Sequence, residues 1–235
     1  DVTASESYVG ILAGQINQNT AGEISRCSAQ GTADGSRGVG GFVGYIVDSG
    51  SMWIRDCMVT AAFVHGENEH VGGMFGMMNG GTATELHVDG GSVSQTNIYM
   101  NGTNNPNTAC VGGLIGATRI FQNSSSNSYA VTSSTVTNVH VTGRAFTNIQ
   151  VGMSGVPSGA GDFDIYVGGA VGVAGAAVSG ATHLFEGIVA EDCAVEAVGE
   201  EYMRTYAGGV FGGVWYNNTV AVISCVSRDN SVISS

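Results

Sequence analysis

One short pattern recurs six times along the chain and limits its fold more than any other feature. The copies are Val9-Gly10-Ile11-Leu12-Ala13-Gly14, Val39-Gly40-Gly41-Phe42-Val43-Gly44, Val71-Gly72-Gly73-Met74-Phe75-Gly76, Val111-Gly112-Gly113-Leu114-Ile115-Gly116, Val167-Gly168-Gly169-Ala170-Val171-Gly172 and Ala207-Gly208-Gly209-Val210-Phe211-Gly212. Their first glycines stand at 10, 40, 72, 112, 168 and 208, so the intervals are 30, 32, 40, 56 and 40 residues. Recurrence at such spacing marks a repeat architecture, in which each unit packs on its neighbours. A nucleotide-binding glycine loop occurs once, between a strand and a helix. Here no helix-period segment follows any copy.

A second segment follows each hexamer, with apolar and polar residues alternating as in half-buried strands. Examples are Ile24-Ser25-Arg26-Cys27-Ser28, Ile54-Arg55-Asp56-Cys57-Met58-Val59 and Val222-Ile223-Ser224-Cys225-Val226. Gly- and Asn-rich turns separate the strands. The expected fold is all-β: a single β-solenoid of about six coils, each of two to three short strands. The repeats lie near 9–38, 39–70, 71–110, 111–166, 167–206 and 207–235, with a longer insertion in the fourth. Alternation places Val39, Gly41 and Val43 on one face of the hexamer and Gly40, Phe42 and Gly44 on the other. Such a strand is expected to be buried on both sides. One face would line the interior; the other would meet a second sheet, a covering loop or another subunit, with glycine allowing close backbone approach.

Composition narrows the function classes. The chain has 38 glycines but two prolines and no three-residue period, which excludes collagen. Only 11% of its residues are charged; it lacks lysine, and its net charge is −12. A nucleic-acid binder needs a basic stripe, and none is present. No run of about 18 apolar residues exists, so no membrane insertion as a helix is expected. The first repeat begins near Asp1, as in a mature product whose leader has been removed.

The V-G-G-x-x-G pattern, followed by a Gly-rich turn and I-x-x-C-x-V, resembles the GLUG-type repeat of bacterial and archaeal cell-surface proteins, adhesins and some large secreted proteases. The likeness runs from Val9 to about Ser227, with more variable spacing than the family pattern. It implies an extracellular structural or adhesive module without catalytic residues.

Five cysteines are present. Cys27 and Cys57 are expected at one ladder position in consecutive coils, and Cys193 and Cys225 likewise. A strand spacing of about 4.8 Å suits a disulfide, so Cys27–Cys57 and Cys193–Cys225 bridges are expected, against a column of buried thiols. Cys110 is left for an intermolecular bond or for simple burial. His87 and His140 are read as replacing the ladder cysteine in the middle repeats. No metal-ligand spacing accompanies them, so no metal or cofactor is expected.

Glu67 with Glu69, Asp162 with Asp164, and Glu200 with Glu201 are paired carboxylates in polar stretches, read as solvated loop charge. Glu67-Asn68-Glu69-His70 lacks the pattern of a calcium loop. No serine or cysteine has a nucleophile-elbow context. A polysaccharide-lyase-type enzyme would need acids and bases clustered on one face. The seven arginines are scattered, and no enzyme is expected. Asn101, Asn123 and Asn217 head glycosylation sequons, as on an exported surface.

Two functions follow. One is a structural subunit of an extracellular filament, sheath or surface layer, whose uncapped ends pair with copies of itself. The other is an adhesin or carbohydrate-binding module. It would present the fourth-repeat insertion to surface glycans, with Tyr129, Phe146, Phe163 and Tyr166 for stacking on sugars.

Overall fold

Short runs of valine, isoleucine and threonine punctuated by glycine favour strands over helices. In a computed structural model, all the regular elements described are β-strands, and every pairing between them is parallel. The structure describes residues 1–5, 8–18, 21–48, 51–67, 70–80, 85–100, 108–118, 133–137, 140–148, 163–175, 182–198, 203–214 and 219–234.

The chain makes six passes through four sheets, and each strand pairs with its equivalent in the next pass. The second pass illustrates the order. Val39–Gly40 lies in the first sheet, Val43–Asp48 in the second and Ser51–Arg55 in the third. Met58–Thr60 and Phe63–Gly66 lie in the fourth. A pass therefore holds up to five strands, more than the two or three expected. The register of the first sheet runs unbroken: Val39 pairs with both Val9 and Val71, and Val111 pairs with Val71 and Val167. In the fourth sheet it shifts between Val93 and Thr96.

The hexamer is not the single two-faced strand that alternation suggests. The chain bends at Gly41-Phe42, so the hexamer is an arch joining the first sheet to the second. The bend turns Val39, Phe42 and Val43 into one core, which they share with Ile46, Met52, Ile54, Val59 and Val64. Inside the arch the backbones nearly touch. A Cβ at Gly40 would run into the carbonyl oxygen of Val43 and stand 2.7 Å from that of Met74. At the arch tip, a Cβ on Gly41 would lie 2.9 Å from Val59 Cγ1 and 3.2 Å from Val64 Cγ2, both on the fourth sheet. The second face of the hexamer is thus filled by the chain's own backbone. A smaller cluster of Cys110, Ala117, Tyr166 and Val173 fills the space further along the same side of the first two sheets.

The segment around each ladder cysteine is also two strands rather than one. The chain turns through the left-handed region at Arg26 (φ 52°), Asp56 (φ 51°), Gly90 (φ 70°), Gly187 (φ 63°) and Ser224 (φ 52°). The flanking registers stack these residues in one column. A second left-handed column, Ala61, Gln95, Asp192 and Asp229, divides the fourth sheet. These two columns are the corners of the cross-section.

Candidate functional site

Four of the five cysteines sit immediately after these corners, but not all after the same one. Cys27, Cys57 and Cys225 follow the first corner. Cys193 follows the second, where Thr96 and Asn230 are its equivalents. Cys225 therefore stands beside Ile188, whose carbonyl accepts from the Val226 amide, and Cys193 stands beside Asn230. The expected alignment of Cys193 with Cys225 is wrong, because the two residues belong to different turns of the cross-section. The alignment of Cys27 with Cys57 is as expected: Met58 pairs with Ser28, and its amide donates to the Cys27 carbonyl.

None of the five cysteines is in a disulfide, so neither expected bridge is formed. Each corner thiol instead lies within donating distance of the carbonyl two residues before it, though Cys225 is closer to the Phe185 carbonyl of the neighbouring pass, at 3.4 Å. The distances are 3.4 Å for Cys27 to Ser25, Cys57 to Arg55 and Cys193 to Glu191, and 3.6 Å for Cys225 to Ile223. Thr96 makes the same bond to Ser94 at 3.0 Å. The cysteine is thus a small, weak second donor to a corner carbonyl; those of Arg55 and Ile223 already accept the amides of Arg26 and Gly187. Burial pushes the Cys57 thiol pKa up, which makes it a poor nucleophile. Cys110 is fully buried between the first two sheets, and an intermolecular bond there would require opening the fold.

The histidines do not replace the ladder cysteine. His87 aligns with Trp53 and stacks on its ring, with centroids 4.1 Å apart. The ladder position in that pass is Gly91. His140 pairs with Ser92 and Val189, one position beyond the ladder. The alternation of their segments matches both to the ladder, but it does not show that His87 lies before the first corner and His140 one residue beyond the ladder position. Two other histidines are buried: His70, at the end of the Glu67-Asn68-Glu69-His70 stretch, and His183, which sequence reasoning missed. His183 shares a core column with Met52, and burial lowers its pKa to about 4.

Of the paired carboxylates, Asp164 forms an ion pair with Arg204 in the next pass, at 2.7 Å. Glu67 is exposed, while Glu69, Asp162, Glu200 and Glu201 lie outside the described residues, as does Asn68. Similar links join Arg228 to Glu191 at 2.6 Å and Arg55 to Glu23 at 2.9 Å. Among the described residues, no three histidine, cysteine or acidic side chains are placed to hold a metal ion. No helix there is long and apolar enough to cross a membrane.

The sequons at Asn101, Asn123 and Asn217 lie outside the described residues, as do Tyr129 and most of the fourth-repeat insertion. So do the side chains of Phe146 and Phe163. Tyr166 is buried and stacks on Tyr206 at 4.8 Å. On the outer faces, aromatic rings stack along the ladder. His65 stacks on Tyr99 at 5.5 Å, and Arg55 covers Trp53 at 4.1 Å on top of its contact with His87. Rings stacked in this way cover one another's flat faces, which a sugar would need.

The surface with the greatest unmet demand is the last pass. Tyr206, Val214, Val222, Ile223, Val226, Val232 and Ile233 are all exposed there, about 40–50% each. Its strands Met203–Gly208, Phe211–Val214, Thr219–Ile223, Val226–Arg228 and Ser231–Ser234 each have a partner on one side only. At the opposite end, Val2 and Leu12 are exposed beside the edge strands of the first pass. No protein-family model, no curated protein and no solved structure matches this chain.

Proposed function

We propose that this chain is a β-solenoid of the GLUG-repeat kind that serves as a structural subunit of an extracellular filament, sheath or surface layer, and is not an enzyme. The observation that carries the reading is the set of parallel ladders that runs through all six passes, strand on equivalent strand, an arrangement that grows by adding like layers. Unpaired parallel edges are templates for another strand layer. Head-to-tail contact between unlike ends propagates into a fibre when its rotation does not close a ring.

The sparse charge, the absence of lysine and the ion pairs between passes suit a molecule whose stability lies in long ladders rather than in a reactive pocket. An extracellular setting accords with the repeat's likeness to cell-surface proteins. Electron microscopy and X-ray diffraction of concentrated protein test the reading. Fibres or sheets with a meridional spacing of about 4.8 Å are expected. A monomer at every concentration, with binding to a glycan array, would overturn the reading and favour the adhesin.

A further inference from the structure

We propose that Cys27 and Cys57 form a binding site for one soft, two-coordinate cation of the Cu(I) kind, held in line between the first two passes. The site lies wholly within one chain and is independent of how copies assemble.

The two thiols share a ladder column. Ser25 pairs with Arg55 before the first corner, and Ser28 pairs with Met58 after it. The Met58 amide donates to the Cys27 carbonyl at 2.9 Å, so the strands are locked on both sides of the pair. Both side chains take the same direction. Each sulfur lies 3.4 Å from the carbonyl oxygen two residues before it, at Ser25 and at Arg55. Cys57 Sγ also lies 3.7 Å from the Ile24 carbonyl, in the same pass as Cys27. Parallel side chains on adjacent strands repeat at the strand spacing, so the sulfurs stand about 4.8 Å apart.

That separation selects the chemistry. A disulfide needs its sulfurs about 2.05 Å apart, so both side chains would have to swing off their carbonyls toward each other. A cation held in line by two thiolates needs no such movement. With the zinc–thiolate bond of about 2.3 Å as a guide, two bonds in line span about 4.6 Å. Thiolate sulfur is the soft ligand that selects Cu(I), and a filled d shell makes no demand for further ligands. Cations that need three or more side-chain ligands find no such set among the described residues. The remaining cysteines have other column neighbours. Cys225 stands beside Ile188, Cys193 beside Asn230, and Cys110 beside His70 and Tyr166.

Binding exchanges protons for the cation. Cu(I) bonds to both sulfurs, both S–H bonds break, and two protons pass to the buffer; no electron is transferred. The complex keeps a single negative charge. It sits at a corner where Cys27 is half-buried and follows Arg26 directly in the chain.

The test titrates the full chain, reduced and kept under nitrogen, with Cu(I) against a chromogenic Cu(I) chelator. One Cu(I) per chain is expected, with two sulfur neighbours by X-ray absorption. Cys27→Ser and Cys57→Ser should each weaken the competition by more than the roughly 10–100-fold that loss of a group bonded to a metal ligand costs. Cys225→Ser should leave it unchanged. Cys27 is partly exposed, so Cys27→Ser carries the test should the chain with the buried Cys57→Ser not fold. Uptake by the folded Cys27→Ser chain as tight as that of the parent would overturn the proposal. So would no uptake by the parent, a metal bound through nitrogen or oxygen, or one Cu(I) shared between two chains.

Discussion

The glycines show how little freedom a single position has here. A Cβ at Gly72 would run into the carbonyl oxygen of Phe75 and stand 2.7 Å from the amide nitrogen of Gly116. Both are backbone atoms in ladders, and neither can yield as a side-chain tip would. Gly72→Ala should therefore cost about 3 kcal/mol or more, at the upper end of overpacking effects, seen as a lowered denaturation midpoint. His183 gives a pH signature. Its folded pKa of about 4 lies below the ordinary value of 6.5, so the fold favours the neutral ring. Its contribution is complete above about pH 6.5 and is lost progressively down to about pH 4, as the unfolded chain takes up the proton first. The span corresponds to about 3 kcal/mol. Denaturation titrations should show that loss, and His183→Leu should flatten it. A stability profile unchanged by that substitution would refute the assignment.

At the scale of elements, the corners carry the information that strand patterns lack. Ala61 holds φ at 50°, a conformation that costs an L-residue about 1–2 kcal/mol. Ala61→Gly removes that strain, and the greater freedom of the unfolded chain offsets part of the gain. A net stabilisation of about 0.5–1 kcal/mol is expected from thermal melts, whereas Ala61→Val should destabilise. The sequence does mark these corners: a polar residue precedes each corner cysteine, at Arg26, Asp56, Asp192 and Ser224. Read as plain alternation, Ile54-Arg55-Asp56-Cys57-Met58 looks like one strand, because the bend changes direction without interrupting the apolar rhythm. The arch is hidden for a related reason. Val39-Gly40-Gly41-Phe42-Val43 alternates well enough for a straight strand, and only the bend at Gly41-Phe42 brings Val39 and Phe42 into one core.

At the scale of the molecule, stability and assembly should separate. Val222 is already about half exposed on the last pass, so Val222→Asp should change the stability of the single chain by no more than about 1 kcal/mol. The same carboxylate would be buried unpaired between stacked copies, where it is far more costly. Sedimentation velocity should show assembly abolished while the melting temperature hardly moves. If Val222→Asp assembled as well as the parent chain, the last pass would not be the interface.

Six glycine hexamers in the sequence were enough to determine an all-β chain of repeated passes, because the motif recurs with its chemistry intact. They also placed Cys27 beside Cys57, since the first two passes have equal lengths from arch to corner. Alternation alone does not show where the chain turns a corner, so His87, His140 and Cys193 were assigned to the wrong column. The tertiary structure decided those columns through backbone registers that ignore loop length. It also decided what the glycines are for: two backbones meet inside each arch with no room for a side chain.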